Sequence, residues 1–243
     1  MENKKSMKVL GIVHARGGSK RIPLKNIKEL NGKPLIAYII TAGLKAKKLD
    51  RLIVSTDHPE IARIAKEYGA EVPFVRPPEI SEDVATELVT QHAVKYLEEK
   101  ESYSVDIAVT LQPTTPFCLP DDIDGCVKLL INSDADSVIS ACEIQERPEW
   151  MFYIDQNSYA KSFLDKELKG EIGISQTLPK LYIPNGGIYA TRRDVLFEQN
   201  TIFGRKIKLW IMPAERSVDI DEPINLIFAE FVAKNFLKKK GIK

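Results

Sequence analysis

The sequence predicts an α/β fold in which a mostly parallel sheet carries helices on both faces. Short apolar runs alternate with longer segments of helical character along most of the chain, and polar loops directly follow several of the apolar runs. With 243 residues, 44% of them hydrophobic, the chain is long enough for one sizeable core. We therefore expect a single domain over residues 1–243, with ligands bound at the carboxyl ends of the strands.

The predicted strands and helices follow one another in a regular order. Strands are short runs rich in β-branched residues, while Pro59 opens one helix and Asp121 and Asp122 suit the positive amino end of another. We expect strands over 9–15, 51–55, 72–75, 107–111 and 137–142, separated by helices over 35–46, 59–68, 87–101 and 121–131. Strands over 187–191 and 207–213 follow, and a helix from Pro223 ends near Lys238, Lys239 and Lys240.

The overall composition argues against several classes of protein. Lys and Arg number 35 against 34 Asp and Glu, and a net charge of +1 disfavours a dedicated nucleic-acid binder. No apolar run approaches the ~18 residues of a membrane-spanning helix, and the first seven residues lack the apolar stretch of a signal peptide. The unpaired spacing of Cys118, Cys126 and Cys142 suits a reducing compartment. We expect a cytoplasmic protein that binds neither nucleic acid nor membrane.

A basic loop with paired glycines follows the first predicted strand. Its four cations are Arg16, Lys20, Arg21 and Lys25, and no acidic residue occurs between positions 9 and 28. Gly17 and Gly18 allow backbone N–H groups to approach a ligand, and the cations add positive charge. Such a loop at the end of a first strand suits a polyphosphate, although it lacks the Gly-Lys-Ser/Thr of a Walker A loop. A solvated basic turn is the alternative.

This loop and five later segments together resemble the acylneuraminate cytidylyltransferases, the CMP-sialic acid synthetase family that includes legionaminate and pseudaminate cytidylyltransferases. The loop reads Ala-Arg-Gly-Gly-Ser-Lys-Arg-Ile-Pro-Leu-Lys-Asn over 15–26. The later segments are Ile-Val-Ser-Thr-Asp at 53–57, Arg-Pro-Pro-Glu at 76–79, Leu-Gln-Pro-Thr-Thr-Pro at 111–116, Pro-Asn-Gly-Gly-Ile-Tyr at 184–189 and Ser-Val-Asp-Ile-Asp at 217–221. The resemblance implies a Rossmann-like nucleotidyltransferase fold and the transfer of CMP from CTP to a nonulosonic acid sugar, with release of pyrophosphate.

The resemblance also implies a nucleotide-binding set at the first loop. Its members are Arg16, Gly17, Gly18, Ser19, Lys20, Lys25, Asn26 and Arg76. Arg16 and Lys25 match positions that bind the triphosphate and are carried over as catalytic residues, while Asn26 and Arg76 match positions beside the cytosine. An arginine can grip two phosphate oxygens and a lysine acts as a point charge. Lys20 taken singly could be a solvated cation, and Asn26 could be a turn residue.

Two carboxylates near the end of the chain are the candidate metal ligands. Asp219 and Asp221 are two residues apart, so in an extended segment their side chains share one face. Such a pair favours Mg²⁺, with Mn²⁺ as a substitute. Asp221 could instead cap the helix that follows, and Asp219 could be a surface acid. The resemblance carries both over as metal ligands and as catalytic residues.

The sugar side of the predicted site is where this chain departs from the family. The resemblance implies that Gln112, Asn185 and Gly186 bind the sugar, although a strand end and an Asn-Gly hairpin are the simpler interpretations. Several family members carry arginine at the position of Ile183, Arg-Arg-Gln where this chain has 174–176, and lysine near Trp150. The cations that could hold the sugar carboxylate instead are Arg147, Lys161, Lys180 and an arginine from a second subunit.

The stretch 143–181 interrupts the alternation of strands and helices. It is too long for a simple connection and carries aromatic residues among scattered charges, a pattern typical of interfaces. The resemblance implies an excursion that embraces a second subunit, so we expect a homodimer. A lid packed on its own chain is the alternative.

Covalent catalysis is not expected. His14, His58 and His92 form no recognisable base-and-nucleophile set, and His14, inside an apolar run, is expected to be buried and hydrogen-bonded. The alternatives to the family function are a cytidylyltransferase for 3-deoxy-manno-octulosonate or another sugar and a non-catalytic nucleotide-sugar sensor. A sensor would not need the carboxylate pair, and an RNA-binding module would need an aromatic and basic platform that the chain lacks.

Overall fold

The computed structural model describes residues 7–164 and 179–237, and these form one layered α/β unit. The strands are β1 (Val9–His14), β2 (Glu29–Leu30), β3 (Lys33–Pro34), β4 (Arg51–Ser55), β5 (Ile107–Leu111), β6 (Ser137–Ile144), β7 (Phe152–Ile154), β8 (Ala160–Ser162), β9 (Leu181–Arg192) and β10 (Ile207–Ile211). The helices are α1 (Leu35–Lys45), α2 (Pro59–Glu67), α3 (Thr86–Glu101), α4 (Pro120–Ile131), α5 (Arg193–Glu198) and α6 (Pro223–Val232).

The six-stranded sheet has the order β10-β6-β9-β5-β1-β4. β1 lies parallel to both β4 and β5, with Val13 opposite Val54 and Leu111, so these three strands end at the same edge. β9 runs antiparallel between β5 and β6, with Ile188 opposite Leu111. Because β9 is reversed, its first half lies at the edge where the parallel strands end.

Alternating side chains of the central strands supply two separate cores. Val9 and Val13 of β1 pack in the core covered by α1, α2 and α4, whereas Leu10 and Ile12 pack in the core covered by α3 and α5. This period of two is what a strand buried on both faces requires. The predicted sheet with helices on both faces is confirmed.

The predicted strand over 72–75 is wrong. Only an isolated bridge between Ile53 and Glu71 forms there, and Val75 is 77% exposed. Pro73 lacks the N–H that a continuing ladder would need, which limits the pairing to this one bridge.

The excursion, residues 143–181, begins at the carboxyl end of β6 and returns at the first residue of β9. It contains a short turn at Pro148–Trp150 and the two-stranded hairpin β7–β8. Residues 165–178, which include the predicted departure at 174–176, lie outside the described part of the chain, as do Lys238, Lys239 and Lys240. The single-domain boundary and the role of the excursion remain predictions.

The described residues contain no helix long and apolar enough to cross a membrane. The three cysteines are free thiols, and Cys118 and Cys126 are buried. Burial raises the pKa of Cys126 well above its usual range, so it behaves as a small apolar core residue.

Candidate active site

A cleft of about 380 Å³ opens at the sheet edge where β1 and β5 end. The basic loop after β1, the segment leading into α3, the loop after β5 and the segment before α6 form its walls. The predicted site residues that line it are Arg16, Ser19, Lys20, Lys25, Asn26, Arg76, Gln112, Asp219 and Asp221. The predicted residues outside this lining are Gly17, Gly18, Asn185 and Gly186.

Only some of the N–H donors of the Arg16 guanidinium have a hydrogen-bond acceptor. Its Nη2 donates to a carboxylate oxygen of Asp83, whereas its Nη1 is buried and has no hydrogen-bond partner among the described residues. The buried amide of Asn26 fixes the loop by donating to the Arg16 carbonyl oxygen over 2.9 Å. A buried N–H without an acceptor is costly, and a phosphate oxygen would supply one.

Gly17 shapes the basic loop from outside the cleft. Its N–H donates to Asp57 Oδ1 over 2.8 Å, so this backbone donor is already engaged. A Cβ at this position would lie 2.8 Å from the His58 ring. Glycine is needed here because the backbone passes too close to His58 for a side chain. Gly18 stands in open space, because no atom of a described residue beyond its two chain neighbours lies within 4 Å of a Cβ built on it.

Lys25 joins the basic loop to the segment that carries the two carboxylates. Its Nζ donates to the Ile220 carbonyl oxygen and to Asp221 Oδ1, each over 2.8 Å. The Lys25 side chain is 13% exposed, so this ion pair is less screened than the other pairs of the loop. The hydrogen bond from Lys25 holds the pKa of the Asp221 carboxyl below its usual value.

Asp219 lies two residues before Asp221, and both line the cleft as exposed residues. Desolvation raises the pKa of Asp219, and the negative charge of Asp221 raises it further, against a hydrogen bond from Thr114. A Cβ at Gly186 would lie 3.1 Å from Asp219 Oδ2, and Gly186 has a φ of +75°. Gly186 therefore leaves room for the Asp219 carboxylate and adopts a backbone conformation that favours glycine.

Asp221 does not cap α6, so that alternative is wrong. The capping position belongs to Glu222, and Asn225 Oδ1 accepts the N–H groups of Asp221 and Glu222 over 3.1 and 2.7 Å. The Asp221 carboxylate is thus available to the cleft and to Lys25.

The two carboxylates suit Mg²⁺. In the described ranges 7–164 and 179–237, no group of three or more His, Cys, Asp or Glu side chains comes close enough to hold a metal alone. Mg²⁺ is commonly bound by one or two carboxylates and completes its shell with water and substrate phosphates. Asp219 forms no ion pair with any described residue, and desolvation is the main cause of its raised pKa.

Asn185 is a buried connection between the sheet and the carboxylate segment. Its Nδ2 donates to Ser217 Oγ over 2.9 Å, and its Oδ1 accepts from Ser140 Oγ over 2.6 Å. Asn185 lies within β9, so the hairpin-turn alternative for Asn-Gly is wrong. Its amide is occupied by internal contacts, which makes it a residue that positions the site from behind.

A family model described as cytidylyltransferase matches residues 10–198, well over half of the chain. The chain belongs to the cytidylyltransferase family. The matched region contains the basic loop, Arg76, Gln112 and Asn185, and it stops before the carboxylate segment.

Relatives within this family match almost the whole chain. The pseudaminic acid cytidylyltransferase of Campylobacter jejuni is 33% identical over 229 residues, which are 94% of this chain and 97% of that protein. The CMP-N,N'-diacetyllegionaminic acid synthase of Legionella pneumophila is 32% identical over 225 residues, 92% of this chain and 95% of that protein. A solved CMP:2-keto-3-deoxy-manno-octonic acid synthetase with CTP has a TM-score of 0.67 at 20% identity, covering 93% of this chain and 98% of its own. That likeness supports the Rossmann-like nucleotidyltransferase fold.

The lining of the cleft also includes residues that the sequence analysis did not name as site residues. His14 was expected to be hydrogen-bonded, and its Nε2 does lie 3.3 Å from Thr90 Oγ1, but the ring also lines the cleft. Its place at the end of the first strand was the available signal. Glu82 and Asp83 also line the cleft. They belong to no motif of the sequence, so only the folded chain reveals them.

Two basic side chains, His14 and the buried Arg76, line the same cleft. Burial lowers the pKa of His14 to about 3, helped by the charge of Arg76. Burial also lowers the pKa of Arg76 to about 10, which leaves it charged. Arg76 donates from Nε to Ser55 Oγ over 3.1 Å and from Nη2 to the Ser55 carbonyl oxygen over 2.5 Å. His14 is therefore neutral at physiological pH beside a fixed cation.

The state of His14 predicts a pH dependence of stability. Between pH 6.5 and about 3 the unfolded chain binds a proton on His14 that the folded chain excludes. The free energy of unfolding therefore falls as the pH drops through this range, and His14 lowers it by nothing above pH 6.5. His14→Gln should reduce the slope of the unfolding free energy against pH by up to ~1.4 kcal/mol per unit in that window. Urea unfolding at a series of pH values measures it. Between pH 7.5 and 9 the slopes should coincide, and equal slopes at pH 4–6 would contradict the assignment.

Proposed function

We propose that this chain transfers CMP from CTP to a nonulosonic acid sugar and releases pyrophosphate. The observation that carries the proposal is the meeting of two phosphate-binding cations with two carboxylates in one cleft, joined by the bonds from Lys25 to Ile220 and Asp221. Two relatives matching over 90% of the chain are named for pseudaminic and legionaminic acids, and we extend their class of acceptor to this chain.

The reaction is a displacement at the α-phosphorus. The sugar hydroxyl forms the new P–O bond, the bond to the β-phosphate oxygen breaks, and the hydroxyl proton is released. Arg16 and Lys25 would neutralise the phosphates as negative charge moves to the leaving pyrophosphate. Arg16 Nη1 has no hydrogen-bond partner among the described residues, so it supplies a donor that a phosphate oxygen can satisfy.

Asp219 and Asp221 would hold Mg²⁺, or Mn²⁺ as a substitute. When bound, such an ion withdraws charge from phosphate oxygens and orients them for displacement. Lys25 limits the freedom of Asp221, and Gly186 leaves space around Asp219, so this chain fixes the two carboxylates before a ligand arrives.

The base would be read beside Asn26. Its Nδ2 is committed to the Arg16 carbonyl oxygen, while its Oδ1 accepts no hydrogen bond from a described residue. This remaining acceptor suits the exocyclic amine of cytosine and would face a carbonyl in uracil. Gln112 remains our candidate for a contact with the sugar, because it lines the same cleft.

A substrate panel tests this function. Pyrophosphate release should be fast with CTP and one of pseudaminate, legionaminate or sialate, and at least ~100-fold slower with UTP, because a polar group left without its partner is penalised. A coupled phosphate assay with each sugar and nucleotide gives kcat/KM. Preference for 3-deoxy-manno-octulosonate as the acceptor would instead indicate a cytidylyltransferase for that sugar. Tight CTP binding without turnover of any acid sugar would favour a sensor.

The carboxylates allow a direct test of metal use. Asp219→Asn and Asp221→Asn should each lower kcat by about 10²–10³-fold, because one ligand charge is removed at the developing phosphate charge. The Mg²⁺ concentration for half-maximal rate should rise in both. Glu222→Gln is the matched control, since Glu222 adjoins Asp221 but lies outside the cleft lining. Full activity of either Asn variant would contradict the metal role.

We also propose a cytoplasmic homodimer that uses the excursion, residues 143–181. The hairpin carries large exposed apolar side chains on Phe152, Tyr153, Ile154 and Tyr159, a pattern typical of protein interfaces.

The excursion also offers a cation for the sugar carboxylate. Position 183 of β9 holds a half-exposed isoleucine, so β9 itself supplies no cation there. Lys161 Nζ lies 4.0 Å from Asp155 Oδ2 at a well-exposed position, and a weak pair of this kind can be exchanged for a sugar carboxylate.

The proposed cytoplasmic location rests on the cysteines. All three are free thiols, which supports a reducing compartment.

A mixing experiment tests the shared site. Arg147→Ala with Lys161→Ala should raise the sugar KM by about one to two orders of magnitude and leave CTP binding unchanged, because a charge-assisted bond worth ~1.5–3 kcal/mol is lost. Mixing this variant with Arg16→Ala should restore part of the activity in hybrid dimers. A monomer by sedimentation with no restored activity would favour a lid on its own chain.

A further inference from the structure

Asp83 pairs with two cations of the basic loop, residues 15–26. It lies between the short turn Pro78–Ile80 and α3, and it lines the cleft. Its Oδ1 accepts from Arg16 Nη2, and its Oδ2 accepts from Lys20 Nζ over 2.8 Å. One carboxylate therefore bridges two cations of the loop in the way that two oxygens of a phosphate would.

This occupation is incomplete and open to exchange. The Asp83 side chain is 59% exposed and that of Lys20 is 72% exposed, so water and salt screen their pair. Arg16 Nη1 is buried and, within the described ranges 7–164 and 179–237, has no hydrogen-bond partner even with Asp83 in place. A polyphosphate brings more charge and more oxygen atoms than a carboxylate, and it can satisfy this third donor.

The neighbouring pair formed by Lys25 and Asp221 behaves differently. Lys25 is largely buried and also donates to the Ile220 carbonyl oxygen, so it is fastened to the fold at two points. Among the four cations of the loop, Lys25 is thus fastened to the fold, Arg16 and Lys20 share the carboxylate of Asp83, and Arg21 pairs with Glu222.

We propose that Asp83 is a displaceable internal anion that competes with the phosphates of the nucleotide for Arg16 and Lys20. It leaves them when the nucleotide binds and returns to them as pyrophosphate departs. This inference rests on the proposed function for its nucleotide, while the competition itself concerns any polyphosphate. Asp83 therefore weakens binding of both substrate and product phosphates and keeps the two cations paired between turnovers.

Calorimetric titration with inorganic tripolyphosphate tests the competition. Asp83→Asn should bind the probe about 3–10-fold more tightly than the unaltered chain, because the competing charge is gone. Glu82→Gln is the matched control: Glu82 adjoins Asp83, lines the cleft and acts on Lys20 through its charge, but it forms no ion pair or hydrogen bond with Arg16 or Lys20. Its substitution removes the same charge and should change the affinity by less than about twofold.

Every other outcome overturns the proposal. Weaker binding by Asp83→Asn would mean that Asp83 holds the cations ready for phosphate. Equal gains in both variants would reveal a general charge effect, and no measurable binding by any of the three proteins would remove the phosphate site. A gain in affinity cannot come from a damaged fold. The probe contains neither cytidine nor sugar, so failure here is distinguishable from failure of the CTP assay, which tests the function separately.

Discussion

The structure of the cleft depends on the two hydrogen bonds that the Lys25 ammonium donates. The ammonium reaches the Ile220 carbonyl oxygen and the Asp221 carboxylate, nearly 200 residues away along the chain. A largely buried ammonium needs such partners, because removing its charge from water is costly. The cost is offset by joining a cationic loop to an anionic segment. The same contact brings the cations and carboxylates of the proposed function into one cleft.

The sheet brings these two segments within reach of each other. Parallel β1 and β5 deliver the basic loop and Gln112 to one edge, and the reversed β9 delivers Asn185 and Gly186 to the same edge. Asn185 then holds Ser217, at the start of the carboxylate segment. Arg216, one residue earlier, pairs with the buried carboxylate of Asp122 on α4. The position of the carboxylates is therefore set by buried polar contacts behind the cleft, and the cleft itself remains open for a ligand.

Local sequence patterns predicted the elements well and the long-range relations poorly. The strand over 51–55 and the strand over 107–111 match the structure residue for residue, because apolar runs between polar turns identify a buried strand. The reversal of β9 was not predictable from its composition, since an apolar run carries no direction. The bridge from Asp83 to Arg16 joins residues 67 apart, and no spacing rule detects such a pair. Asn185 was chosen for a ligand contact, but its folded surroundings use its amide internally.

The most direct measurement is a double-mutant cycle on the contact that unites the site. kcat for pyrophosphate release would be compared among the unaltered chain, Lys25→Met, Asp221→Asn and the double variant. If Lys25 and Asp221 act as one unit, the double variant should lose about as much activity as the more damaged single variant. Losses that multiply would mean that the two residues act independently, and they would contradict the central role given to this contact.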